Sequence, residues 1–251
     1  IYPIARIVVF KDPFLAKARP DLAVKSKHGG LWRDYKGLNW VDPHSKTVWR
    51  YVVDVAKEAA KHGFKEIQFD YVRFTSDGDL SDCLYPFADG RKKHEVIREF
   101  LRYAYKELKP LGVVVSADIF GLVLSVPDDL GIGQQLEEIA QEVDLICPMV
   151  YPSHYYPGTF GIKNPNAAPY ETILRSLKDA QRRITGMKAK IRPWLQDFTL
   201  GQPAYEKEQL AAQLRAVKEI GIEEWLWWNP SNRYNPQNHN FTDPEIIGIM
   251  P

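Results

Sequence analysis

Three aspartates stand where an apolar run gives way to a polar loop: Asp70 in EIQFDYVRF, Asp118 in VVVSADIF and Asp197 in KIRPWLQDF. Carboxylates presented at the ends of such runs can work as a pair across a cleft. Cleavage of a glycosidic bond needs such a pair. One carboxyl, neutral, protonates the leaving oxygen, while the other, ionised, attacks the anomeric carbon or activates water. Arg73, three residues beyond Asp70, favours the ionised form there and assigns Asp70 as nucleophile or base. Asp118 lies among Val115, Ala117, Ile119 and Phe120, where burial would raise its pKa toward that of a general acid. Each has a plainer reading. Asp70 could cap a turn or pair with Arg73, Asp118 could bond the next loop, and Asp197 is as readily structural as catalytic.

Side chains able to hold a sugar ring accompany the carboxylates. Trp32, Trp194 and Trp228 could stack on pyranose faces, although core packing explains each equally well. Tyr151 and His154 belong to the stretch VYPSHYY, Gln196 precedes Asp197 and Asn229 follows Trp228; each could bond a hydroxyl, or serve its own turn. Arg73 and Lys11 complete the candidate binding set. Lys11 is also the one strand-end lysine suited to a Schiff base, the requirement of an aldolase or lyase. There is no His-Glu-x-x-His and no cysteine pair, so no metal or other cofactor is expected. Nor is there a Gly-x-Ser-x-Gly elbow, which counts against an acyl hydrolase.

The elements that must position these residues alternate along the chain. Residues 4–10, 66–74, 113–120, 144–151, 190–198 and 223–231 read as buried strands, with Pro193 a weak point in the fifth. Helices are expected over 45–62, 92–109, 134–143, 170–184 and 205–220, and a short one is possible after Asp243-Pro244. In the first helix Val48, Val52, Val55, Ala56 and Ala59 share a face. Residues 13–44 form a long, poorly periodic connection whose Trp32 and Trp40 argue for order. Connections entering strands are short (Gly63-Phe64, Leu111-Gly112, Gly221-Ile222), whereas those leaving strands are long and polar or aromatic. That asymmetry predicts an α/β fold of the (β/α) TIM-barrel type with its site at the carboxyl ends of the strands. An open doubly wound sheet would announce a Gly-rich phosphate turn after its first strand, and none is present. Six βα units are read where a closed barrel has eight, so the first two are expected to be missing from this single barrel domain.

Composition narrows the classes further. At 251 residues and 45% hydrophobic, the chain can bury a large core in one domain. Its 33 basic and 32 acidic residues give a net charge of +1, so no overall field favours nucleic acid. No run approaches the ~18 apolar residues of a membrane span, and residues 1–10, with only Arg6 charged, read as a core strand. Cys83 and Cys147 make neither a disulfide framework nor a metal cluster and leave the compartment open. The sequence carries no signal of oligomeric state.

The segments YPIARIVVFKDPFLAKARPDLA, GLNWVDP, GFKEIQFDYVRF, VSADIFG, GIGQQLEEIA and PMVYPSHY resemble the bacterial "putative glycoside hydrolase domain" family, described as α-amylase-like. The resemblance covers most of the chain. It implies a TIM barrel with two further strands upstream of IARIVVF. Asp70 would then end the fourth strand, Asp118 the fifth and Asp197 the seventh, where amylase-like enzymes keep nucleophile, acid and a transition-state-stabilising carboxylate. The pattern departs at three places. Gln68 stands where those enzymes have Arg, Asp118 where they usually have Glu, and Gln196-Asp197 where they have His-Asp. Family members are often exported, which implies an envelope or extracellular polysaccharide. The leading expectation is a glycoside hydrolase acting on a poly- or oligosaccharide; the main rival is a carbohydrate- or cell-wall-binding barrel without a working acid.

Overall fold

The computed structural model describes residues 1–242, so the helix expected after Asp243-Pro244 lies outside them. Six strands carry the fold: β1 (Ile4–Val8), β2 (Glu66–Asp70), β3 (Val114–Phe120), β4 (Leu145–Met149), β5 (Trp194–Gln196) and β6 (Leu226–Trp228). The registered pairs, β1 with β2, β2 with β3, β4 with β5 and β5 with β6, are parallel and follow chain order. Helices intervene: α1 (Pro13–Ala18) and α2 (Lys46–Lys61), then α3 (Lys93–Leu108), α4 (Leu136–Glu142), α5 (Pro169–Arg183) and α6 (Lys207–Glu219). This is the alternation expected of a partial (β/α) barrel.

The chain packs as two compact units. The first comprises Ile1–Ile119, Pro127–Ile146 and Met187–Ala189; the second comprises Phe120–Val126, Cys147–Gly186 and the chain from Lys190 on. In the first unit β1, β2 and β3 pair in register, with Arg6 beside Gln68 and Gln68 beside Ser116. Side chains alternate across a strand, so Ile67, Phe69, Val115, Ala117 and Ile119 share one face and Glu66, Gln68, Asp70, Ser116 and Asp118 the other. The apolar face meets the helices. Phe100 of α3 stands edge-on to Phe10, Phe69 and Trp49, with ring centroids 5.3, 5.5 and 5.8 Å away. The opposite face is polar yet buried, since every residue of β2 is buried.

Local signals explain the boundaries. Ser45 caps α2, its hydroxyl accepting the Val48 amide, and Gly63 follows the helix at φ +93°. The buried stripe of α2 is Val48, Trp49, Val52, Val53 and Ala56; Val55 is exposed, because its position on the turn faces away from the strands. The connection from β1 to α2 is ordered. It contains α1, and Lys25–Ser26 pairs antiparallel with Cys83–Leu84 of the next long connection. In the second unit Pro193, which has no N–H to give a ladder, splits the expected fifth strand into Lys190–Ile191 and β5. Helices α5 and α6 pack on each other there, and α6 on β5. Among the described residues no helix is long and apolar enough to cross a membrane.

Candidate active site

The polar face of the first unit carries its chemistry. Asp70 ends β2 and Asp118 lies in β3; both are almost fully buried. One guanidinium, that of Arg6 in β1, serves both. Its Nη2 donates to Asp70 Oδ2, and its Nε lies 3.5 Å from Asp118 Oδ2. Parallel pairing makes this possible. Arg6 is in register with Gln68, two residues before Asp70, so its side chain runs along the sheet toward the strand ends. Burial lifts the Asp70 carboxyl above its ordinary range, while the Arg6 charge, the Tyr71 amide and Arg73 pull it back. Below the pair, the Ser116 hydroxyl donates to the Glu66 carboxylate, and Gln134 of the β3–α4 connection donates to the Asp118 carbonyl at 3.2 Å. Gln68 is 1% exposed and its Nε2 has no hydrogen-bond partner.

The chain leaves Asp70 by an unusual turn. Tyr71 adopts φ +50°, a left-handed conformation that costs a non-glycine residue about 1–2 kcal/mol, and its N–H donates to Asp70 Oδ1 at 2.7 Å. Such strain persists where the surroundings hold it. Here Lys11 Nζ lies 5.2 Å from the Tyr71 ring and the Arg73 guanidinium 5.1 Å, and both cations also approach Trp40. Lys11 is paired with the buried Asp34 at 2.7 Å, which leaves little room for the amine to act as a Schiff-base nucleophile. Burial would raise Asp34, but hydrogen bonds from Lys11, the Leu38 amide and the Trp40 indole hold it below the ordinary range. Arg73 donates to the Phe74 carbonyl and Ser76 hydroxyl, both at 2.9 Å, so it touches Asp70 through its field and Arg6 makes the contact. Trp32 is not an open platform. It is buried, its indole N–H donates to the Asp79 carbonyl at 2.8 Å, and a Cβ on Gly78 would fall 2.6 Å from its ring.

In the second unit, Asp197 follows β5 directly. It is buried, and its Oδ2 lies 2.9 Å from Nε2 of His239. Burial lifts the Asp197 carboxyl above its ordinary range, against the hydrogen bond and charge of His239. The Asn229 side-chain amide donates to the Asp197 carbonyl. Gln196 is fully buried and its amide is used internally: Oε1 accepts from the Ser153 amide and hydroxyl, and Nε2 donates to the Phe198 carbonyl. Its place is therefore structural, despite its position beside Asp197. His154 is exposed, its Nδ1 3.0 Å from the Ser153 hydroxyl, with Tyr151 and Phe198 edge-on at 5.3 and 6.0 Å. Trp194 and Trp228 are half-buried and edge-on to each other at 5.7 Å.

Four participants escaped the sequence: Arg6, Asp34, Tyr71 and His239. Arg6 reads as an isolated charge in a core strand until register sets it beside β2. His239 reads as one scattered histidine until the tail returns it to β5. Among the described residues no three His, Cys, Asp or Glu side chains gather as metal ligands would.

Parallel strands alternating with helices define a partial (β/α) barrel. The family model described as "Putative glycosyl hydrolase domain" matches residues 1–234, and the chain belongs to that family. The glycoside hydrolase domain of PgaB (BpsB) from Bordetella bronchiseptica is similar in fold: 15% identity, TM-score 0.62, covering 99% of this chain and 76% of that one. Bee venom hyaluronidase, solved with a hyaluronic acid tetramer, is similar at 14% identity and TM-score 0.55, over 92% of this chain and 79% of that one. A hypothetical protein from Ruminiclostridium thermocellum ATCC 27405 is 45% identical over 53% of this chain, with a TM-score of 0.43; the match spans 60% of that protein's chain. No curated protein matches this chain.

Proposed function

We propose that this domain hydrolyses a glycosidic bond of a poly- or oligosaccharide, with Asp70 and Asp118 as the working carboxyls. The observation that carries the reading is the sharing of one guanidinium by two buried carboxylates at the ends of adjacent parallel strands. Asp70 serves as nucleophile or base: burial lifts its carboxyl, and the donors that oppose that rise, Arg6 and the Tyr71 amide, are the ones that favour its ionised form. Asp118, held at the longer distance, protonates the leaving oxygen as the C–O bond breaks. The first attack is made by the Asp70 carboxylate or by a water whose proton it takes; water's hydroxyl ends on the anomeric carbon.

The roles separate by leaving group. Asp118→Asn should cripple cleavage of a natural polysaccharide by on the order of 10²–10⁴ but spare a nitrophenyl glycoside, whose leaving group needs no proton. Asp70→Asn should suppress both. Equal loss on both substrates in Asp118→Asn would remove the acid from Asp118. The rival, sugar binding without turnover, draws on the same Arg6: a guanidinium that never releases either carboxylate would leave a binding cleft only.

A further inference from the structure

We propose that His239 is a substrate-contacting residue, presenting Nδ1 to a sugar hydroxyl, and that Asp197 acts through it as its positioning partner. The inference rests on the carbohydrate reading above and adds a residue to it.

Among the described residues, four histidines lie against a carboxylate, and their surroundings separate them. His44 meets Asp42 at 2.8 Å, but both are buried and the ring is enclosed edge-on by Phe74 and Tyr85, so that pair is part of the core. His94 joins Glu138 across α3 and α4, and His28 lies 3.9 Å from Asp82 with its ring almost fully exposed. His239 alone meets a carboxylate at the carboxyl end of a sheet strand, where a parallel α/β fold builds its sites. The Asp197 side chain is 7% exposed and that of His239 is 23% exposed, so the carboxylate is sealed and the imidazole is partly open to solvent.

The geometry fixes which nitrogen is available. Nε2 is taken by Asp197, which as an acceptor keeps the proton on that nitrogen. Nδ1 makes no hydrogen bond among the described residues. Trp227 stands edge-on at 5.1 Å, with Phe241 and Tyr234 at 6.1 and 6.2 Å, so the ring cannot swing freely. Asn229 ties down the Asp197 backbone and completes the support. A carboxylate that fixes tautomer and orientation, an aromatic frame and one nitrogen without a hydrogen bond form a hydrogen-bonding group for a ligand. A fastening for the tail would need only the Nε2 bond.

That difference supplies the test. Glutamine can reproduce the Nε2 donor to Asp197 but has nothing in place of Nδ1. Binding of starch, xylan, chitosan, hyaluronan and peptidoglycan would be measured by affinity electrophoresis, and turnover by KM and kcat, for wild type, His239→Gln and His239→Ala. The expected result is the same roughly three- to tenfold rise in Kd or KM in both variants on the polymer that wild type binds, the loss of one hydrogen bond. Thermal unfolding should be close to wild type in His239→Gln. Wild-type affinity and KM in His239→Gln would overturn the proposal, even if His239→Ala is unstable. If wild type neither binds nor cleaves any of the five, the carbohydrate reading fails and this inference with it. Binding or cleavage unaffected by His239→Gln fails this inference alone.

Discussion

Arg6 is the residue on which the two carboxylates depend. Removing it leaves Asp70 and Asp118 close together and buried without their shared cation, and like charges in that setting resist joint ionisation. Arg6→Ala should lower activity on the order of a hundredfold through misplacement of the pair. It should also cost about 1–2 kcal/mol at neutral pH, less than a fully buried pair because the Arg6 side chain is 36% exposed. The sign with pH follows. The folded pKa of Asp70 already lies above its unfolded value and rises further without Arg6, so the folded state binds more protons. Stability of the variant therefore falls as pH rises through that pKa, and urea midpoints at pH 4.5 and 7.5 should show a larger decline than in wild type. Asp70 and Asp118 stand out in the sequence because each carboxylate closes an apolar run. Arg6 does not, because its partners lie 64 and 112 positions away and only strand register brings them together.

The strands and helices are held by their own polar ties, and Asp144 is the clearest. At the entrance to β4 it accepts the Val115 amide at 2.9 Å, Lys109 Nζ at 3.0 Å and the Tyr105 hydroxyl at 3.0 Å, joining the ends of α3 and β3. Burial would raise its pKa, but these donors together hold it below the ordinary value. A depressed carboxylate contributes stability above its unfolded pKa, about 3.9, and loses it as pH falls through the folded pKa. Asp144→Asn should cost about 1–2 kcal/mol at neutral pH and flatten the acid limb of the unfolding curve below about pH 4. Gly121, just past β3, is a steric counterpart: a Cβ there would lie 2.5 Å from the Met149 carbonyl and the Tyr155 hydroxyl. Gly121→Ala should destabilise by about 1–3 kcal/mol in chemical denaturation. Element types followed from the sequence where periodicity and caps agreed, as in α2 with Ser45 and Gly63. They failed in detail where one residue acts through tertiary context. Pro193 breaks a strand that composition would continue, and Val55 belongs to the apolar set of α2 yet faces out.

At the scale of the whole chain, the loop asymmetry proved the most informative sequence feature. The connections from α2 to β2 and α4 to β4 span residues 62–65 and 143–144, whereas those leaving β1 and β2 run to residues 45 and 92. Short returns and long departures concentrate long, polar chain at the carboxyl ends of the strands, where Asp70 and Asp197 stand. What that pattern could not convey was how the long connections fold. Trp32, an apparent platform for a sugar ring, anchors the loop at Asp79, and Gln196, an apparent hydroxyl ligand, is spent on Ser153 and Phe198. The family assignment and the fold stand on the match over residues 1–234 and on the barrel neighbours. The proposed catalysis rests on the carboxylate pair. The most direct measurement is reducing-sugar release from bacterial and plant polysaccharides by wild type, Asp70→Asn and Asp118→Asn, each verified as folded by circular dichroism. Release by wild type that falls on the order of a thousandfold in both variants is the predicted result. Undiminished release from either folded variant, or polysaccharide binding by wild type with no release from any polymer, would contradict it.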